Sequence, residues 1–220
     1  MKIVIDRSIS KILSDFTVIG LSMDVKVEDS SKIKDLVLQY DKKMQEEYSL
    51  SDILNIPLIK EARDGYKKLG KDPSRYRLAC ESLLRRLVKG RGLYLINNLV
   101  DAGNILSIET KRSVAVLDYN KIKGDVLIRK GTEVDYFIGI GRGKLNVVNI
   151  PVYVDTIDAF GSTTSDTYRT MIRNETTKIL LMIICFSSDY IEEHKRFAIS
   201  LFEKYGYAQN ITNIKVENRL

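Results

Sequence analysis

The sequence predicts an α+β fold, with one compact domain over residues 57–220 and an N-terminal extension, residues 1–56, packed on it. Polar and apolar residues alternate over residues 18–27, as in a half-buried strand. Apolar residues recur at helical spacing over residues 58–69, and the continuous apolar run 179–186 is typical of a central strand. The chain has 220 residues, 44% hydrophobic and 29% charged, which suffices for a substantial core.

The first half of the chain alternates between a strand and helices. After the strand at residues 18–27, helical spacing and capping residues predict three helices. They are expected over residues 30–45 with Ser30 or Ser31 as cap, over 58–69 closed by Gly70, and from a Ser74 cap to about residue 89, closed by Gly90 and Gly92.

The second half consists mainly of short strands. A strand at residues 93–96 leads into a helix over 98–107, and a helix over 190–205, capped by Ser188, follows the central strand. Five short β-type runs separated by glycines and polar residues lie between these helices, at residues 114–117, 125–129, 136–140, 145–150 and 152–155.

Composition limits the classes of function. Lys and Arg total 35 against 29 Asp and Glu, a net charge of +6 that modestly favours a polyanionic partner. Cys80 and Cys185 sit in apolar runs and are expected to be buried free thiols rather than a disulfide. No Cys/His spacing indicates a metal site, and no cofactor is expected. The N-terminus lacks the apolar region of a signal peptide and no run can span a bilayer, so we expect a cytoplasmic protein without membrane contact.

Asn97, Asp101 and Asn104 recur at helical spacing among apolar residues. Asn and Asp are unfavourable inside helices, because their side chains compete for nearby backbone groups. Two explanations fit this pattern: the residues cap and pack the helix, or they form a polar site at the rim of a pocket.

A cluster of cations surrounds the apolar stripe of the third predicted helix. Its members are Arg75, Arg77, Arg85, Arg86, Lys89 and Arg91. A phosphate backbone binds such a cluster with release of counterions. The alternative is a solvated helix face with cations near its C-terminal end.

Two further segments are rich in glycine or hydroxyl groups. Residues 139–144 lack the spacing of a phosphate-binding loop and predict a tight hairpin. Residues 158–170 contain six Ser and Thr and suit a small polar ligand or a positioned water, although an ordinary solvated loop has the same composition. His194, the only histidine, is expected on a solvated helix face, which leaves no Ser-His-Asp or Cys-His nucleophile.

Six stretches follow one another along the chain, at residues 73–77, 97–104, 117–124, 160–166, 169–170 and 175–180. The most specific are a Val-Asp-x-x-Asn helix and a Glu-Thr-x-Lys entry to a strand. Together, in this order along residues 57–205, they resemble the B3/B4 domain of the phenylalanyl-tRNA synthetase β chain and its free-standing single-domain relatives.

This resemblance implies a mixed α+β fold with largely antiparallel sheets flanked by helices. It also implies an editing module that hydrolyses the ester of a mischarged tRNA, a second site needed where a synthesis pocket discriminates weakly. In the family, this site reads the extra hydroxyl of tyrosine. The family's histidine before the Leu-Asp turn is matched by Ala115, so that donor is absent at this position. The chain is too short for a complete tRNA ligase.

The resulting hypothesis is a free-standing editing-like module that hydrolyses mischarged aminoacyl-tRNA, with Asp166 positioning water. The cation cluster would bind tRNA. The substrate is expected to contact Asn97, Asp101, Asn104, Gly161, Ser165, Arg169 and Thr170. Two alternatives remain open: a non-catalytic RNA-binding module, and a protein that binds an amino acid or another small molecule.

Overall fold

The computed structural model describes residues 1–219. Its six α-helices are α1 (Arg7–Ser10), α2 (Lys34–Glu47), α3 (Pro57–Leu69), α4 (Ala79–Val88), α5 (Asn98–Thr110) and α6 (Ile191–Gly206). Its strands are β1 (Ile3–Ile5), β2 (Thr17–Asp24), β3 (Ser113–Asp118), β4 (Val126–Lys130), β5 (Ile138–Gly139), β6 (Gly143–Lys144), β7 (Pro151–Val154), β8 (Ala159–Ser162), β9 (Lys178–Cys185), β10 (Gln209–Asn213) and β11 (Val216–Asn218).

A four-stranded antiparallel sheet forms the centre, in the order β10-β2-β9-β3. The continuous apolar run predicted as a central strand is β9, with neighbours on both sides, which confirms that prediction. The prediction that the strand at 18–27 is half-buried is wrong. Both faces of β2 are covered, since Leu21 packs towards the helices while Val18 packs towards a second sheet.

The second sheet has five strands, in the order β11-β1-β4-β7-β8. Strand β1 runs parallel to both β11 and β4, whereas β4, β7 and β8 are antiparallel to one another. One apolar core lies between the two sheets, and another lies between the central sheet and helices α2, α5 and α6. The fold is therefore α+β with mixed, largely antiparallel sheets flanked by helices, as predicted.

The hairpin predicted at residues 139–144 is confirmed as the antiparallel pair β5–β6. Gly141 and Gly143 there have φ of 66° and 70°, a conformation that favours glycine. Strand β3 is the edge of the central sheet, and α5 packs beside it. The edge of the central sheet, α4, α5 and the hairpin together frame the candidate site.

Several boundary predictions are wrong. Residues 93–96 and 145–150 form no strand, because no neighbouring strand pairs with them. Residues 74–77 precede α4 in a turn, and Leu78 is its N-cap. Helix α2 begins after residue 30, and the Ser30 hydroxyl instead donates to Asp101. Tyr190, not Ser188, is the N-cap residue of α6.

Residues 1–56 contribute strands to both sheets. Strand β1 lies between β11 and β4, and β2 lies between β10 and β9. The division of the chain at residues 56 and 57 stays a prediction. Strands β1, β8, β10 and β11 were not predicted from the sequence, because they are short or carry many polar residues.

The prediction for His194 is wrong, because its side chain is buried on the sheet side of α6. Arg112 Nε donates to His194 Nδ1 over 3.2 Å. Burial, reinforced by the Arg112 charge, lowers the pKa of His194 to about 4, so the ring is neutral at pH 7.

Cys80 and Cys185 are buried and free, as predicted. None of the helices within residues 1–219 combines the length and apolar character needed to cross a bilayer.

Candidate functional site

A cleft of about 570 Å³ lies between α4, α5 and the β5–β6 hairpin. Val100, Asn104 and Ser107 line it from one face of α5, as expected for residues three or four positions apart on a helix. Its cationic lining residues are Arg77, Arg85, Arg86, Lys89, Arg91 and Arg142. The cleft is thus open to an anionic ligand along the α4 side.

An apolar recess of about 270 Å³ adjoins the cleft. The two spaces share Asn104 and Asp166, which are the only residues lining the recess that carry polar side-chain atoms. Four residues line the recess and not the cleft, namely Gly103, Val116, Met171 and Ile172. The polar groups therefore stand at the junction, and the deeper wall is hydrocarbon.

The backbone of Asp166 forms an isolated antiparallel β-bridge with Gly161 of β8, and this bridge positions Asp166 at the junction. A Cβ on Gly161 would lie 2.8 Å from Asp166 Oδ1 and 2.5 Å from Tyr153 Cδ2, so the carboxylate packs directly over a bare backbone position. Within residues 1–219, no group hydrogen-bonds the Asp166 carboxylate. Loss of solvation alone raises the pKa of Asp166 to about 7.

The three polar residues around α5 have different roles in the structure. Asn97 is the N-cap, and its side chain accepts hydrogen bonds from the N–H groups of Leu99 and Val100 at 3.1 and 2.9 Å. Asp101 is buried and accepts from Ile96 N–H and the Ser30 hydroxyl. Asn104 alone of the three lines the cleft. Asn97 and Asp101 therefore cap and pack the helix, whereas Asn104 lies at the rim of the pocket.

A buried carboxylate of α4, that of Glu81, pairs with arginines in and near this helix. Glu81 is fully buried and accepts from Arg63 Nη1 at 2.7 Å and Arg85 Nε at 2.8 Å, with Arg77 Nε at 3.8 Å. Because Glu81 is paired in this way, it positions the arginine stems while partly neutralising them.

An exposed tyrosine adjoins the cations. The guanidinium carbon of Arg86 stands 3.9 Å from the centre of the Tyr94 ring, and Arg86 Nε donates to Gly92 C=O. Tyr94 is 66% exposed and lines the cleft. Arg75 does not line the cleft and lies 3.8 Å from the Asp72 carboxylate.

The hydroxyl-rich segment contributes fewer site residues than predicted. Ser165 lines the cleft next to Asp166. Arg169 lies outside it and forms a two-pronged ion pair with Asp155, with both N–O distances 2.9 Å. Thr170 is fully buried, and its C=O accepts from Asp118 N–H at 2.8 Å. Gly161 supports Asp166 from behind rather than lining either space.

Several residues that line the cleft or the recess were not predicted from the sequence. Ala115, matched to the family's histidine, is buried between the sheets, whereas its neighbours Val114 and Val116 line the recess. The alternation of β3 could have shown this, because successive side chains point to opposite faces. Arg142 belongs to the glycine-rich hairpin, whose two cations were visible in the sequence.

Residues 1–219 contain no group of three or more His, Cys, Asp or Glu side chains arranged to hold a metal ion. The chemistry available at the junction is that of one free carboxylate, one free amide and surrounding cations.

The family model of the B3/4 domain matches residues 61–214, and the chain belongs to this family. Over 142 residues it is 26% identical to the phenylalanine–tRNA ligase beta subunit of Fusobacterium nucleatum subsp. nucleatum. That alignment covers 61% of this chain and only 17% of the ligase subunit.

The fold is similar to that of an N-terminal fragment of the phenylalanyl-tRNA synthetase beta-subunit from Pyrococcus horikoshii. The TM-score is 0.55 at 9% identity, and the match covers 99% of this chain and 52% of that fragment. The chain is therefore a B3/4-domain protein with a fold related to the tRNA synthetase β chain.

Proposed function

We propose that this protein binds the 3′ end of an aminoacyl-tRNA in the cleft and hydrolyses the ester that joins the amino acid to the ribose. The observation that carries the proposal is the Asp166 carboxylate, which has no hydrogen-bond partner among residues 1–219 and stands between a cationic cleft and an apolar recess. The proposal assigns the protein to the cytoplasm, where charged tRNA is made and used.

Asp166 acts as the general base. A carboxylate whose pKa is near 7 is partly ionised at neutral pH and still basic enough to take a proton from water. The water oxygen then bonds to the ester carbonyl carbon, and the C–O bond to the ribose breaks. The proton passes from Asp166 to the ribose oxygen, which leaves a free amino acid and a tRNA with a free hydroxyl.

Asn104 and the cleft position the substrate. The Asn104 side chain has no hydrogen-bond partner in the part of the chain that the structure describes, so its NH₂ is free to donate to the ester carbonyl oxygen as negative charge develops there. Lys89, Arg91 and Arg142 bind backbone phosphates. Tyr94, with Arg86 on one face, offers its ring to an unpaired base.

The test is release of labelled amino acid from a panel of mischarged tRNAs. We expect turnover of at least one ester, and loss of about 10²- to 10⁴-fold in rate for Asp166→Asn. The matched control is Asp15→Asn, an exposed aspartate outside the cleft, which should leave the rate unchanged. No release from any ester with the protein in excess rejects the activity, and a wild-type rate for Asp166→Asn rejects the assigned base.

A non-catalytic tRNA-binding module is the second candidate. Four of the predicted substrate-binding residues are buried or bonded to other groups of the protein, namely Asn97, Asp101, Arg169 and Thr170. Only Asn104 and Asp166 then remain as polar side chains lining the recess, and this small number favours binding without catalysis. This candidate predicts salt-sensitive retention of tRNA, weakened by Arg85→Ala with Arg86→Ala, and no ester cleavage.

A further inference from the structure

We propose that the recess accepts an apolar amino-acid side chain and disfavours a hydroxylated one. This inference rests on the proposed function, because it assumes that the aminoacyl group enters the recess. It concerns the chemistry of that group and not whether the ester is cleaved.

The distribution of polar atoms carries the inference. Asn104 and Asp166 stand where the recess meets the cleft, within reach of an ester that bridges the two spaces. Beyond them the wall consists of Gly103, Val116, Met171 and Ile172, whose side chains have no nitrogen or oxygen. A side chain that passes the junction therefore meets apolar residues without side-chain nitrogen or oxygen atoms.

The packing of the wall fixes its shape on the α5 side. A Cβ on Gly103 would lie 2.5 Å from Val116 Cγ2, so a glycine is needed for α5 to approach β3 this closely. Val116 belongs to the edge strand and pairs with Leu181 of β9, which fixes its backbone. Neither of these two packed residues has a side-chain nitrogen or oxygen with which to hydrogen-bond a ligand hydroxyl.

The energetic consequence is a preference for apolar groups. A hydroxyl buried without a hydrogen bond loses its hydration without a replacement partner, whereas burial of a methylene group is favourable. For two amino acids of the same shape that differ by one hydroxyl, a hydrocarbon pocket gives a preference of about tenfold to a hundredfold.

The experiment compares two matched pairs, phenylalanine with tyrosine and valine with threonine. Binding is measured with 3′-amino-3′-deoxyadenosine amides of the four amino acids, which cannot be hydrolysed as esters, and cleavage is measured with the four aminoacyl-tRNAs. We expect the apolar member of each pair to bind about tenfold tighter and to be cleaved about tenfold faster.

Each outcome decides a different point. Equal or stronger binding of tyrosine and threonine overturns the inference and leaves the hydrolase proposal standing if the esters are cleaved. Preferential binding of the apolar amides without cleavage of any ester supports the inference and rejects the hydrolase. Binding of none of the amides rejects the recess as an aminoacyl site.

A variant tests the wall directly. Val116→Thr keeps the shape and replaces one methyl group with a hydroxyl, so it should lower the phenylalanine-over-tyrosine ratio by about threefold or more. The control is Val154→Thr, a half-buried strand valine outside the recess, which should leave the ratio unchanged. Met171 also lines the recess and lies outside regular secondary structure. Met171→Gln therefore provides a second polar variant should Val116→Thr fail to fold. An unchanged ratio in a folded variant overturns the inference.

Discussion

Asp166 keeps its free carboxylate because of the residue opposite it. Gly161 leaves room where any Cβ would press on both Asp166 and the buried Tyr153 ring. The position of the Asp166 carboxylate therefore requires a glycine at residue 161.

Gly161→Ala tests this dependence. The new methyl group should displace the carboxylate, and a displacement of about 1 Å can lower a catalysed rate by about 10²-fold. The measurement is the rate of amino-acid release, with Gly124→Ala as a control for general loss of stability. Gly124 lies outside the site at φ 81°. Retention of the full rate by Gly161→Ala would contradict the placement of Asp166.

The pH dependence of hydrolysis should follow the ionisation of Asp166. Because the pKa of Asp166 is raised to about 7, the rate should rise about tenfold per pH unit below 7 and level off above it. Subtracting the rate of Asp166→Asn removes spontaneous hydrolysis. A profile whose inflection lies near 4 would show that the base is an ordinary solvated carboxylate.

The same carboxylate should lower the stability of the fold at high pH. Its pKa is about 7 when folded against 3.8 when solvated, so the folded state binds the proton more tightly and loses stability as pH rises from about 4 to 7. Asp166→Asn should therefore increase the free energy of unfolding at pH 8 by on the order of 2–4 kcal/mol and have little effect at pH 3. Denaturant unfolding at both pH values is the measurement, and an equal effect at the two would exclude the mechanism.

Helix α5 combines a structural residue and a site residue of the same type. Asn97→Ala removes the cap and should lower the free energy of unfolding by about 1 kcal/mol. Asn104→Ala should leave stability within about 0.5 kcal/mol and lower amino-acid release, because its side chain bonds to nothing in residues 1–219. Denaturant unfolding and the release assay together separate the two. A stability loss for Asn104→Ala equal to that of Asn97→Ala would refute the distinction.

Helices and buried strands were the most predictable elements. Helix α3 spans Pro57–Leu69 with Gly70 as its C-cap, in agreement with its apolar spacing and terminal glycine. The predictions of strands at residues 93–96 and 145–150 were wrong, because β-type composition does not ensure that a neighbouring strand is present to form hydrogen bonds. Conversely, β8 lies inside a segment read as a loop, since pairing with β7 outweighs its glycine and serine.

The candidate site was predicted in parts but not as an assembly. Asn104, Ser165, Asp166 and the cations of α4 stood out in the sequence, and the structure brings them around one cleft. Their meeting depends on contacts between segments far apart in the chain. The recess walls and the internal pairing of Arg169 with Asp155 depend on the same contacts, which local patterns do not encode.

The charge of the folded surface should govern tRNA binding. Lys89→Ala with Arg91→Ala removes two cations from the cleft and should reduce the slope of log affinity against log salt by about 1.4–1.8, if each contacts one phosphate. Lys11→Ala, an exposed cation outside the cleft, is the control and lowers the total charge without removing a contact. Equal effects of the two changes would indicate non-specific attraction.

The two sheets interleave distant parts of the chain. Residues 3–5 pair with residues 216–218, and β10, at residues 209–213, flanks β2. During translation, the central sheet cannot be completed until β10 has left the ribosome, and the second sheet cannot be completed until β11 has done so. One edge of β1 and one edge of β2 therefore stay unpaired while the residues up to β10 and β11 are made, and contacts of such long sequence separation are slow to form.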